Sequence, residues 1–222
     1  MGRIVIFGAG GRVGGAAVAE AVRRGHRVTA VVRDPAKYPA LAGTSGVTVV
    51  RGDATDADAV AAAAAGHDAA LNASARLDVP AAEYFTATAR ALLDGLRRAG
   101  VGRLLVLGIA TTLEVAPGTR IMDDPAFPEP YRAFSQGHVD EFDLLTAETT
   151  GPDGAAGAAG PDWLMVVPPM DLNAEAPVTG RYVGAVGAVV GTGRISHADL
   201  AVALLDEIDA PAHHAVQWAV SH

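Results

Sequence analysis

The sequence predicts an α/β fold, a doubly wound parallel sheet in a single domain, on three observations. Short apolar runs of strand length recur along the chain, separated by stretches of helix length. Several of these runs are continuously apolar, as strands covered on both faces require. A glycine-rich turn joins the first run directly to the first helical stretch. Strands alternating with helices through short loops imply parallel neighbours. The 222 residues, half of them hydrophobic, suit one such domain over residues 1–222. No internal repeat and no second core is visible.

The elements follow in order. Residues 3–7 form the first strand, centred on Ile4, Val5 and Ile6, and residues 13–24 the first helix, stopped by Gly25. Residues 27–32 and 47–50 are rich in valine and read as strands two and three. The helix at 56–64 ends at Gly66, and the strand at 67–72 ends on Asn72. A long helix spans 81–99, with Gly100 just past its end. Strands at 103–107 and 163–167 flank a helix at 130–146. A helix at 198–208 and a strand at 213–220 close the chain. Residues 73–80, 108–130 and 168–195 are irregular and follow strand ends, so substrate-site loops are expected there. The stretch "TTGPDGAAGAAGPD", residues 149–162, reads as a surface insertion.

Composition narrows the function classes. A formal net charge of −8 argues against nucleic acid or an anionic membrane surface as partner. The absence of cysteine excludes disulfides, zinc–thiolate sites and thiol catalysis. No histidine or carboxylate spacing suggests a metal site. The chain enters its first strand without a basic, then apolar leader, and the alanine run at 61–65 is too short to cross a membrane. The expectation is a cytoplasmic protein, monomer or homodimer, acting on a small molecule.

The turn after the first strand carries the clearest chemistry. Gly8, Gly11 and Gly14 form G-x-x-G-x-x-G, with Gly10 a further small residue, between a strand and a helix. Gly8 allows a tight turn. Gly10 and Gly11 leave room for a pyrophosphate, and Gly14 lets the helix lie close to the sheet. The helix start at Arg12 and Val13 offers unpaired N–H groups and a positive dipole end. A Rossmann-like dinucleotide site follows. The second strand ends at Arg33, where NAD-selective sites place an acidic residue, and Lys37, the chain's single lysine, lies four residues on. A guanidinium can fork onto a 2′-phosphate, so NADP(H) is favoured over NAD(H). Asp53 and Ala54 follow the third strand, where a carboxylate can meet the adenine amino group. A helix N-cap role is the alternative for this segment. Asn72, Ala73 and Ser74 follow the fourth strand, where small residues let the nicotinamide half pass.

The glycine spacing, "VVRDPAK", "GDATD", "LNASA" and "VGRLLVLG" together resemble an atypical short-chain dehydrogenase/reductase of the NAD(P)-binding, NmrA-like type. "TTLEVAPGTRIMDDPAFPEPYR" and "GRISHADLAVALLDEIDAPAHH" resemble the NADH-flavin reductases related to biliverdin reductase B, and the likeness covers nearly the whole chain. Where that family has a Gly-Gly-Ala-Gly-Ser character, this chain reads Gly108-Ile109-Ala110-Thr111-Thr112, a bulkier lining. The resemblance places a hydroxyl donor at Thr111 or Thr112 and sets Pro168, with Pro169 and Met170, beside the nicotinamide.

Short-chain dehydrogenases pair a tyrosine with a lysine four residues on, which lowers the tyrosine pKa. Here Tyr131 is followed by Ser135 at that spacing. His138, two helical turns from Tyr131 on one face, is a second acid/base candidate. The resulting expectation is an NADPH-dependent reductase passing hydride to a flat conjugated acceptor: a flavin or quinone, or else a biosynthetic ketone or enone. Such acceptors need positioning more than early protonation. The alternatives are a non-redox isomerase or cyclase, and an NmrA-like sensor that binds NADP and a protein without catalysis.

Overall fold

The computed structural model describes residues 1–149 and 160–222. The first half alternates strictly: β1 (Arg3–Phe7), α1 (Arg12–Arg23), β2 (Arg27–Val32), a single turn α2 (Pro39–Ala42), β3 (Val47–Arg51), α3 (Ala57–Ala64), β4 (Ala69–Asn72), α4 (Ala81–Ala99) and β5 (Arg103–Leu107). The second half is less regular. It contains β6 (Glu114–Ala116), β7 (Thr119–Arg120), α5 (Glu129–Thr149), β8 (Asp162–Val167), β9 (Asp171–Asn173), β10 (Val183–Val186), β11 (Arg194–Ser196), α6 (His197–Asp209) and β12 (Gln217–Ser221). The main sheet runs β10-β12-β8-β5-β4-β1-β2-β3. The order reverses between β1 and β4, whose carboxyl ends meet at Phe7 and Asn72. In open α/β sheets this reversal opens the ligand crevice. The fold is Rossmann-like.

Alternation along the strands divides the interior. In β1, Val5 and Phe7 join the core under α3, α4 and α5, while Ile4 and Ile6 join the core under α1 and α6. Each fully buried side chain of this size contributes roughly 1.5–3 kcal/mol of transfer free energy, so both faces hold the sheet. Gly100 caps α4 in the left-handed conformation, at φ 72°.

The structure corrects several expectations. The sheet is not wholly parallel: β10 pairs antiparallel with β12 at the edge. The run "VGAV" is short and half exposed, so it carries no buried-strand signal. Two further pairs, β6–β7 and β9–β11, form inside segments read as irregular. The fourth strand starts at Ala69, because His67 is turned aside to meet the Thr29 hydroxyl at 2.8 Å. The last begins at Gln217 rather than 213. There the His213 ring stacks on Trp218, 4.6 Å between centroids, and its carbonyl accepts from Arg103. Ser196 caps α6, accepting from Asp199 N at 2.9 Å. The buried Asp199 carboxylate takes the Thr179 and Gly180 amides and His222 Nε2. Of the insertion read at 149–162, residues 150–159 lie outside the described residues, while Thr149 ends α5 and Asp162 begins β8.

Arg103, at the start of β5, ties the far end of the sheet together. Its side chain is buried and reaches Asp162 at 2.7 Å and Glu207 at 3.0 Å. Burial alone would raise the Glu207 pKa; hydrogen bonds from His213 and from the Ala212 and His213 amides outweigh it, and the carboxyl is held below its ordinary value. Removing one member of a buried pair strands the other, at a cost of about 3–5 kcal/mol. Arg103→Leu is therefore expected to lower the urea unfolding midpoint by that equivalent with an unchanged slope. A variant within about 1 kcal/mol of wild type would show that the ion pair is not the tie.

Candidate functional site

The site grows out of the β1–α1 turn. Gly8 has φ +74°, and a Cβ there would lie 2.6 Å from the Ala73 carbonyl carbon. The turn therefore rests backbone to backbone on the loop after β4. A Cβ at Gly14 would fall onto the Gly8 carbonyl oxygen, so α1 can start this close only with glycine. Gly11 is different. It has extended dihedrals, φ −78° and ψ 171°, and a Cβ would meet only Gly8 O, at 3.3 Å. No side chain caps α1 at Gly11, and its first turn holds no acidic residue. The helix thus presents unpartnered N–H groups to open space.

That space is a cleft of about 580 Å³. Gly8, Gly10 and Gly11 form its floor. Arg33 and Lys37 enter from the end of β2, Asp53 and Ala54 from the end of β3, and Ala73 and Ser74 from the end of β4. Nine of the positions singled out in the sequence thus meet around one cavity. Five others do not line it. Gly14 is buried against the Gly8 carbonyl. Arg12 is exposed on α1, Val13 is packed in the core beneath, and Pro168 is buried beyond β8. Asn72 is buried, and its Oδ1 accepts from Ser74 N and Oγ at 3.2 and 2.5 Å. Gly10 also serves a purpose other than the one expected: its missing Cβ makes room for the Tyr38 ring.

Tyr38, Arg76 and Tyr84 line the cleft and were not singled out in the sequence. Tyr84, on α4, donates to Ser74 Oγ at 2.8 Å, and burial raises its phenol pKa. Arg76 grips Asp78 through two nitrogens, at 3.0 and 2.6 Å, and holds that carboxyl at about 2. None of the three has a spacing rule to reveal it, since each reaches the cleft from a loop or a helix flank.

Charge converges on the same cavity. Burial would raise the Asp53 pKa, but the Thr55 amide and hydroxyl, at 2.9 and 2.7 Å, and the Arg76 and Arg33 guanidinium groups hold it below the ordinary value. Asp53 is therefore anionic, while Asp56 takes the N-cap of α3. Lys37 makes an exposed contact with Asp34 at 3.7 Å, weakly held at such exposure. Arg33 has no ion-pair partner among the described residues.

The four acid/base and hydroxyl candidates are dispersed. Tyr131 is 64% exposed on α5, whereas His138 is buried, 3.1 Å from Glu141 and with its ring tilted against that of Phe85, 3.9 Å between centroids. The two do not share a surface. Burial raises the Glu141 pKa. Thr111 bonds Ser135 Oγ at 2.8 Å inside the protein. Thr112 donates to Ile109 O and accepts from Gln217 Nε2 at 3.2 Å, and it lines a second, separate pocket.

A strand–glycine turn–helix with an open N-terminus and a cationic wall suits a dinucleotide. Residues 8–211 match the profile of a family described as NAD(P)H-binding. The chain belongs to that family. YwnB of Bacillus subtilis (strain 168), a relative whose name gives no activity, is 31% identical over 226 residues, covering 98% of this chain and 97% of that protein. A crystal structure from Burkholderia pseudomallei, provisionally named an exported protein, is similar with TM-score 0.84 and 34% identity over the full length of both chains. Another, from Streptococcus pneumoniae TIGR4 and provisionally named an NADH-flavin reductase, has TM-score 0.78 and 26% identity over 99% of each chain. Among the described residues no helix is long and apolar enough to cross a membrane, and no group of metal-ligating side chains is present.

The glycines separate by what they touch. Gly14→Ala forces a Cβ onto backbone that cannot yield, so it is expected to cost about 1–3 kcal/mol or more. Gly11→Ala, in extended backbone with room around it, is expected to change stability by under about 0.5 kcal/mol. Chemical denaturation of the two variants checks the contrast; equal losses would place the close contact elsewhere.

Proposed function

We propose that the protein is an NADPH-dependent reductase that passes hydride to a flat conjugated acceptor, a flavin or a quinone. The observation that carries this reading is the cleft itself, where an uncapped helix start, Arg33 and Asp53 surround one cavity. Membership of the NAD(P)H-binding family supports the cofactor class, and the name of the pneumococcal relative supports the acceptor class.

The residues divide the work. The open amides at the start of α1 take the pyrophosphate. Arg33, exposed and without an ion-pair partner among the described residues, forks onto the ribose 2′-phosphate, with Lys37 adding charge from the same segment. Asp53 accepts from the adenine amino group. Asn72 Oδ1 fixes Ser74, and Ser74 receives the Tyr84 hydroxyl, so this wall stays rigid beside the cofactor. When bound, the reduced nicotinamide supplies the hydride.

Proton delivery is the weaker requirement. Tyr131 lies at the surface with no lysine four residues on, and His138 is enclosed by Phe85, Phe134 and Glu141. Neither is set to protonate an acceptor early. A flavin or quinone can take its proton late, from water. NADPH oxidation, followed by nicotinamide absorbance against a panel of flavins, quinones and enones, tests the reading. Turnover with a flavin or quinone supports it, and cofactor binding without oxidation by any acceptor would overturn it.

Two variants sharpen the test. A charge-assisted hydrogen bond is worth roughly 1.5–3 kcal/mol, so Arg33→Ala is expected to weaken NADP(H) about 10- to 100-fold and NAD(H) little. Calorimetry on the wild-type protein showing equal affinity for the two cofactors would defeat the 2′-phosphate role. Tyr131→Phe is expected to keep flavin or quinone reduction within about tenfold, below the roughly 10²–10⁴ of an acid/base group. A thousandfold loss of turnover with NADPH still bound would instead make Tyr131 the acid.

A further inference from the structure

We propose that the protein carries a second ligand site, for a small monocarboxylic acid with a flat apolar body, between α5, the β6–β7 hairpin and the outer strands β12 and β10. The site does not depend on the reductase reading.

The topology creates the space. On this face α5 packs against β8, with Phe142 set edge-on to Trp163 at 5.6 Å. The sheet continues past β8 into β12 and β10. There the β6–β7 hairpin approaches the sheet edge, with Glu114 N donating to Gly187 O at 3.1 Å. The pocket left between helix and hairpin is about 350 Å³ and shares no lining residue with the nucleotide cleft. Its size falls within the range of small-molecule sites, roughly 300–1,000 Å³.

Its walls select a ligand. Val139, Phe142, Val186 and Val216 make an apolar body with one aromatic ring. Arg120 enters from β7, half-buried and without an ion pair among the described residues. Glu114 stands opposite it in strand register, yet no ion pair joins them. A guanidinium beside apolar walls favours a carboxylate, which it can hold through two parallel hydrogen bonds. Gln217 Nε2, now spent on Thr112 Oγ1 at 3.2 Å and Met165 Sδ at 3.6 Å, is a second donor in reach of the pocket. The Glu114 carboxylate at the rim disfavours a second negative charge. One carboxylate and a flat hydrocarbon remain as the matching chemistry. Occupancy also bears on Thr112, whose hydroxyl is held by Gln217 at the end of the loop that follows β5.

Calorimetric titration of the full chain with 3-phenylpropionate tests the site, with 3-phenylpropionamide as the neutral control. The acid is expected to bind with or without saturating NADPH, and the amide at least about tenfold more weakly. Arg120→Ala is expected to weaken the acid roughly 10- to 100-fold while leaving NADPH affinity unchanged. Gln217→Met should weaken it less. No binding by wild type, equal affinity for acid and amide, or an undiminished affinity in Arg120→Ala would overturn the proposal. Competition between the acid and NADPH would also overturn it, by placing the acid in the nucleotide cleft. The acid-against-amide comparison needs no variant, so it decides the matter even if Arg120→Ala fails to fold.

Discussion

The cleft depends on one close approach of backbone to backbone. Gly8 lies so near Ala73 and Ser74 that no side chain fits between them, and Gly14 lies equally near the Gly8 carbonyl. Those contacts bring the ends of β1 and β4 and the start of α1 to a common point. Side-chain packing could not do so, because any Cβ would push α1 away from the sheet and open the turn. The N–H groups of α1 would then face water rather than a walled cavity, where their partial positive charge acts on an anion with less screening.

Around that point the charges are arranged unequally. Asp53 is held anionic by Thr55 and by nearby guanidinium groups, while Arg76 is already engaged by Asp78. Arg33 stands apart, since no described carboxylate pairs with it. Its guanidinium is exposed at the cleft, so its N–H donors are open to solvent. Lys37, exposed like Arg33, is loosely met by Asp34 at 3.7 Å and carries a point charge rather than a planar fork.

Much of this was legible in the sequence, for identifiable reasons. Continuous apolar runs at 4–7 and 104–107 locate strands buried on both faces, and their alternation with helices points to a doubly wound, mostly parallel sheet. The glycine fingerprint located the turn because its requirement is steric and local. Tyr38 was not legible, since its contact with Gly10 joins two loops through space. The edge strand β10 and the hairpin β6–β7 escaped because short, half-exposed strands have neither periodicity nor a continuous apolar run. Arg103 was read as the first residue of a strand, and its role as a buried tie depends on Glu207, a hundred residues away in sequence.

Thr112 marks where reasoning by strand position reaches its limit. A residue just past β5 is expected at the crevice, because carboxyl ends of strands converge there. The chain after Gly108 instead makes a short helical turn, and the Thr112 hydroxyl turns back to Ile109 O and outward to Gln217. A strand end fixes where the backbone leaves the sheet, but the next few dihedrals decide which face a side chain joins. Ile109 and Thr111 stand where the resembled family has glycine, whereas Ala110 matches that family's alanine and is anchored in the core beneath α4 and α5. Thr111 and Thr112 are both buried in this segment, and neither lines the cleft.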